Sequence, residues 1–333
     1  MGGNAFKHMG HTAERMSKKE FHTIEREIFD VLHEFKIFGL PIPYVREKAS
    51  FGDIDIIIVK EDERNVKEIR CENIEKFGIS DELVFRNKDV ISILFKEKYQ
   101  IDFIFTNKHE KDYHQAYLAY NDLGNLIGRI IKESGFQHGH NGLFYVYREG
   151  NHYKELIELT TDYQDALRIL GLDVDKFFSG FETFNEMFDY VTSCKYFKKS
   201  RFALENLNNR NRVRDKKRKV YNDFLKYIET VEDKVGEVPS PFDEFEWLQE
   251  RCDKIRESRV HKNLLREKFN GNNVHKWTGL TGGKSEDRAM FGKFMEYVQY
   301  QDGFDSYLEA CSIEELEKHV KKQHENFKKS NIS

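Results

Sequence analysis

The sequence predicts an α+β chain, in which a mixed β-sheet with covering helices occupies the N-terminal part and a mostly helical region follows. Three observations carry this. Residues 50–59, Ser-Phe-Gly-Asp-Ile-Asp-Ile-Ile-Ile-Val, form a β-branched run of strand length. Residues 99–105, Tyr-Gln-Ile-Asp-Phe-Ile-Phe, form a second apolar run. Beyond about residue 163 the apolar residues recur mainly at three- and four-residue steps, the period of a helix.

Taken in order, residues 17–35 begin with Ser17, carry Glu20 at the capping-box position, and repeat Phe21, Ile24, Ile28, Val31 and Leu32 at helical spacing. Leu40-Pro41-Ile42-Pro43 breaks that helix, and an extended stretch leads into the strand at 50–59. The charged residues 60–78 space Val66, Ile69 and Ile74 for a helix against the sheet. Residues 90–95 and 99–105 read as a hairpin joined by Lys96-Glu97-Lys98. Residues 109–135 read as helical, with Gly124 and Gly128 four apart on one face for close packing. His138-Gly139-His140-Asn141-Gly142 reads as a turn into a strand at 143–148, its two histidines lacking further metal ligands at suitable spacing.

Residues 155–160 and 163–172 open what is expected to be the helical region. There Phe177, Phe178, Phe181, Phe184, Met187, Phe188 and Val191 form a core stripe. Pro239-Ser240-Pro241 separates a basic helix from another at 242–269, and helices at 291–300 and 312–327 close the chain, the last with Ser312 and Glu315 as a capping box. Gly279-Leu-Thr-Gly-Gly-Lys284-Ser285 imitates a phosphate-binding loop, but its first glycine is replaced by Thr278 and no apolar strand precedes it, which excludes a Walker-type NTPase. The expected division is residues 1–150 as a catalytic domain and 151–333 as a helical substrate-binding region.

Composition narrows the class. The 333 residues are 39% hydrophobic and 34% charged, with no run of eighteen apolar residues and no apolar leader. The expectation is a chain without a membrane span, in the cytoplasm. Cys71, Cys194, Cys252 and Cys311 are scattered, which excludes a local zinc knuckle and points to a reducing compartment. Net charge is −4, yet residues 195–226 hold twelve basic against three acidic residues, a local +9. Such a concentration suits a polyanion, with Arg210, Arg212, Arg214, Lys217 and Arg218 as the candidate nucleic-acid contacts.

The chemistry centres on three carboxylates. Asp53 and Asp55 stand two apart and so share one strand face, while Ile54, Ile56 and Ile58 share the other. Asp102 is isolated in an apolar run, where a carboxylate is costly unless something pairs it. If the two strands lie side by side, three acids converge in the manner that divalent cations and a polyphosphate require.

Gly52-Asp53-Ile54-Asp55-Ile56 followed by Asp102 on a later strand resembles the nucleotidyltransferase superfamily that includes DNA polymerase beta, poly(A) polymerases and CCA-adding enzymes. The resemblance covers roughly the first 110 to 150 residues, the usual size of one such unit. It implies a small mixed-sheet palm, Mg2+ (or Mn2+) held by Asp53, Asp55 and Asp102, and transfer of a nucleoside monophosphate from an NTP such as ATP to a hydroxyl, here expected to be an RNA 3′ end. Members carry a Gly-Gly or Gly-Ser turn shortly before the paired acids to hold the triphosphate, and this chain has none there. The candidates are Gly2-Gly3, which is followed by a helical stretch, and Ser50 with Gly52; Lys48 lies close enough in sequence to reach phosphate.

Two other readings stand beside this one. A magnesium-dependent nuclease would pair Gly52-Asp53-Ile54-Asp55 with a Glu-x-Lys, but Glu97-Lys98 is followed by Tyr99. A non-catalytic nucleic-acid-binding protein would not need all three acids.

Overall fold

The computed structural model describes residues 5–60, 77, 79–150, 153–202, 218–233, 237–280 and 285–330. The chain divides into two compact units, Met1–Asp243 and Glu244–Ser333. The fold class is α+β, with a mixed sheet early and helices late.

The first unit begins with β1 (Met16–Ser17) and α1 (Lys18–Glu34). The Ser17 hydroxyl accepts from the Glu20 N–H, and Glu20 accepts from the Ser17 N–H at 2.8 Å, so the capping box forms as its sequence predicts. Ser17→Ala is expected to cost about 1 kcal/mol. Thermal unfolding should register it as a Tm lower by roughly 2–4 °C.

Next come β2 (Gly39–Pro41), β3 (Ser50–Phe51), β4 (Asp53–Lys60), β5 (Val84–Asn87), β6 (Val90–Phe95) and β7 (Tyr99–Asn107). β1 pairs with β3, and the other five form one sheet in the order β2-β4-β7-β6-β5. β4 and β7 are parallel, whereas the remaining neighbours are antiparallel. Ile54, Ile56 and Ile58 pack with Phe21, Ile24, Ile28 and Leu32, so α1 covers one face of the sheet. Residues 61–76 and 78, read as a further covering helix, lie outside the described residues, although Phe77 reaches Phe103 with ring centroids 5.2 Å apart. The β6–β7 link places Lys96 and Glu97 in the left-handed region, at φ of 54° and 55°.

Where one helix was expected over 109–135, there are two, α2 (Lys111–Leu118) and α3 (Leu123–Lys132). Tyr120 and Asn121 turn left-handed between them, at φ of 58° and 65°. Tertiary contacts impose this break: the Tyr120 N–H donates to the Pro43 carbonyl and its hydroxyl to the Phe177 carbonyl. α2 packs against β4 and β7, closing part of the sheet's second face. β8 (Phe136–Gly139), β9 (Gly142–Glu149) and β10 (Tyr153–Thr160) then make a second, antiparallel sheet. Residues 155–160 are thus strand and do not begin a helical region.

α4 (Tyr163–Ile169), α5 (Val174–Ser179) and α6 (Phe184–Ser193) carry the aromatic stripe. Phe177, Phe181, Met187, Phe188 and Val191 are buried, but Phe178 is 55% exposed. Of the basic segment, residues 203–217 lie outside the described residues, and α7 (Lys219–Glu229) follows. Arg201 is buried, donating to the Ile130 carbonyl and to the Ser134 hydroxyl. It therefore braces the fold and is not offered to a polymer.

In the second unit, α8 (Glu246–Lys268), α9 (Gly271–Thr278), α10 (Ser285–Gln299), α11 (Phe304–Ala310) and α12 (Ile313–Ser330) gather around Val274, Phe294, Val298, Leu316 and Val320. The helix expected over 242–269 is split into a short helical turn at Pro241–Glu244 and α8 from Glu246. Lys268 donates to the carbonyls of Leu308, Glu309 and Cys311, a cation at the C-terminal end of α11. A helix precedes the glycine-rich loop, and Gly279 ends it at φ 70°, so the loop lacks the strand a phosphate-binding loop needs. Among the described residues no helix is long and apolar enough to cross a membrane.

Candidate active site

The parallel pairing of β4 with β7 builds the site. Its register sets Asp55 opposite Asp102 and Asp53 opposite Gln100. Because side chains alternate along each strand, all four project from one face. Ligand oxygens of Asp53, Asp55 and Asp102 lie within 4.8 Å of one another. Ionised carboxylates at that range repel by on the order of 3 kcal/mol per pair at an effective dielectric near 20.

The electrostatics follow from crowding. Burial pushes the Asp55 carboxyl well above its usual range, and the charges of Asp53 and Asp102 push it further, while Lys48 pulls the other way. Asp102 is raised to about 6, chiefly by burial and then by Asp53, against the hydrogen bonds from Ser92 and Gln100. Asp55 is surrounded by protein at the base of an open cleft and still reached by solvent. Lys48 shows the mirror effect: burial lowers its ammonium, and Asp53 and Asp55 draw it back up. Three oxygen donors so placed fit a hard divalent cation, which would relieve this repulsion.

The cleft lined by Asp53 and Asp55 has a volume of about 570 Å³, ample for a nucleotide. Arg15, Lys48, Arg218 and Lys219 contribute cations to its lining. Phe21, Tyr44 and Phe51 form an aromatic wall, with Phe21 and Phe51 stacked at 4.1 Å and Lys48 lying 4.5 Å from the Phe51 ring centre.

The candidate phosphate-binding residues are placed differently from one another. Lys48 and Gly52 line the cleft. Ser50 is engaged by Arg15, which donates to its hydroxyl and to its carbonyl, each at 2.9 Å. Gly2 and Gly3 lie outside the described residues, as do Arg210, Arg212, Arg214 and Lys217. Arg218 is not on an exposed helix face but half-buried at the cleft, paired with Asp122. Arg46 is turned away toward Glu182 and the Ser179 carbonyl.

Three participants were not anticipated. Gln100 donates to both Asp102 oxygens at 2.9 Å and accepts from the Ala5 N–H at 3.0 Å. Its signal was present, since Gln100 and Asp102 are two polar residues on one face of an apolar strand. Ser92, opposite Asp102 on β6, and Arg15, far from the motif in sequence, carried no local signal.

No family model matches the chain, and no curated protein matches its sequence. Among solved structures, the chain is similar to Leishmania infantum polymerase beta in a ternary P/T complex, at 13% identity and a TM-score of 0.37, over 48% of this chain and 74% of that one. The ternary gap complex of the same protein aligns at 13% identity and a TM-score of 0.38, over 48% and 68%.

Proposed function

We propose that this chain is a metal-dependent nucleotidyltransferase that moves a nucleoside monophosphate from an NTP to a hydroxyl acceptor, with an RNA 3′ end as the proposed substrate; the basic segment supports a polyanionic acceptor. The observation that carries the reading is the convergence of Asp53, Asp55 and Asp102 within 4.8 Å on adjacent parallel strands. In this reading the three carboxylates hold Mg2+ or Mn2+, as a two-metal arrangement. Bound there, the metal would favour ionisation of the acceptor hydroxyl and screen the charge on the departing pyrophosphate.

The chain's own groups do the remaining work. Gln100 and Ser92 hold the Asp102 carboxylate by hydrogen bonds, fixing its orientation toward the acceptor hydroxyl. Lys48, Arg15 and Lys219, which line the cleft, supply cations toward the triphosphate, with Gly2-Gly3 or Ser50 and Gly52 as the backbone part of its cradle. The wall of Phe21, Tyr44 and Phe51 gives the nucleotide an apolar surface and excludes water from one side of the cleft. Residues 1–150 contain all three acids, and residues 151–333 are assigned to holding the acceptor.

Magnesium-dependent incorporation of labelled NTP onto single-stranded RNA, measured beside cleavage of the same RNA, tests the reading. Extension without cleavage is expected. Cleavage without extension would establish the nuclease, and neither reaction would favour a non-catalytic binder. Gln100→Leu, which removes the brace on Asp102 while keeping side-chain volume, is expected to lower turnover about 10-fold or more with little change in the Michaelis constant for NTP.

A further inference from the structure

A second cavity, of about 400 Å³, is walled by α3 and the β8–β10 sheet. Its lining carries Arg129 and Lys132 from the last part of α3, Arg148 from β9 and Lys154 from β10, and among the described residues no carboxylate. Four cations converge on this one lining in a chain whose net charge is −4. Two of them are held in place: the Arg129 guanidinium lies over the Tyr221 ring at 4.8 Å, and Lys154 donates to Gln137 at 2.6 Å. Such fixed cations lose little side-chain entropy when an anion binds.

His138 belongs to the same lining and is 9% exposed. Neither of its ring nitrogens makes a well-formed hydrogen bond. The rings of Tyr113, Tyr117 and Tyr163 surround it, with centroids 5.8, 5.0 and 5.6 Å away. Burial lowers its pKa to about 4, against the Gly124 carbonyl beside one N–H, so the ring is neutral near pH 7 and keeps a lone pair on its other nitrogen. A buried polar group left unsatisfied costs about 1–3 kcal/mol, which a ligand's polar edge would recover.

The two glycines of α3 differ in role. A Cβ at Gly124 would meet the Tyr117 carbonyl oxygen at 2.5 Å, so this glycine serves the close helix packing that its sequence spacing suggests. A Cβ at Gly128 would meet nothing within 4 Å, and Gly128 lines the cavity. The second glycine leaves room for a ligand.

We propose that this cavity is a second binding site, for a nucleotide phosphate, with the phosphate oxygens on Lys132, Arg148 and their neighbours and a polar edge of the nucleoside on His138. The nucleotide is either free or part of a nucleic-acid strand. Asp122, at the N-terminal end of α3, lines the triad's cleft, and Arg129 and Lys132 lie roughly 10–15 Å along the same helix. A strand ending in the cleft could therefore lay an internal phosphate here. The proposal does not depend on the triad's chemistry, because binding can be read without metal.

The test titrates the full chain in EDTA with AMP, by calorimetry, and with a fluorescein-labelled single strand of about twelve nucleotides, by anisotropy, for the wild type, Lys132→Gln/Arg148→Gln and Gly128→Leu. Both variants are expected to weaken one probe by about 10-fold or more, and the charge variant should also flatten the salt dependence by up to about 0.7 slope units per lost phosphate contact. Loss of AMP binding identifies a free-nucleotide site, and loss confined to the oligonucleotide identifies a strand site. Gly128→Leu enters open space and improves helix propensity, so its Tm should not fall. If neither probe binds the wild type, or if both variants bind both probes as the wild type does, the proposal is wrong.

Discussion

Asp55→Ala is expected to reduce nucleotidyl transfer by roughly 10³-fold or more while the protein stays folded. Asp55 stands at the centre of the triad, with Asp102 opposite it and Asp53 two residues before it. In the proposed reaction, removing it deletes a metal ligand and with it part of the charge stabilisation in the transition state. The fold is spared because the side chain ends in an open cleft and not in a sealed core, so truncation leaves no closed cavity. Relief of repulsion from Asp53 and Asp102 even favours the metal-free variant. Asp53→Ala should behave alike. The check is single-turnover incorporation measured beside thermal unfolding; parallel loss of activity and Tm in both variants would make the acids structural and end the catalytic reading.

Asp102→Asn is expected to lose turnover to a similar extent and to melt higher than the wild type in EDTA at about pH 7.5. The sign follows from linkage. In the folded state the Asp102 carboxyl is raised from 3.8 to about 6, mainly by burial. Between those values the native state binds protons that the unfolded chain has released, so stability falls as pH rises through this window and the penalty persists above it. Its size is on the order of 1–3 kcal/mol. The amide keeps the shape and removes the charge, so its advantage should be full above about pH 6 and vanish below about pH 4. Magnesium should narrow the gap by stabilising the wild type more than the variant. Melting curves across pH with and without magnesium measure all three effects, and near-normal turnover of Asp102→Asn in saturating magnesium would remove Asp102 from the site.

Much of the local structure was legible because its causes are local. Ser17 and Glu20 set the start of α1 through hydrogen bonds spanning three residues. The alternation of Asp53 and Asp55 with Ile54 and Ile56 needs only the period of a strand, and Asp102 stood out because an acid among Ile101, Phe103 and Phe105 is costly without a partner. Ser312 and Glu315 marked the last helix in the same way as the first.

What tertiary structure alone decided concerns partners distant in sequence. The spacing of residues 109–135 is helical throughout, yet Pro43 and Phe177 hold Tyr120 in a turn that splits the helix. Residues 153–160 alternate charged and apolar side chains weakly, and only pairing along β9 makes them a strand. Basic residues read as one polymer-facing set are separated by their contacts, with Arg201 buried against α3 and Arg218 paired with Asp122 at the cleft. The sequence by itself identified three acids and the faces they occupy. The parallel register that sets Asp55 against Asp102, and the Gln100 and Ser92 contacts that hold Asp102, come from strands paired across tens of residues, because hydrogen bonds between strands are chosen by the whole core they bury and no short stretch encodes that choice.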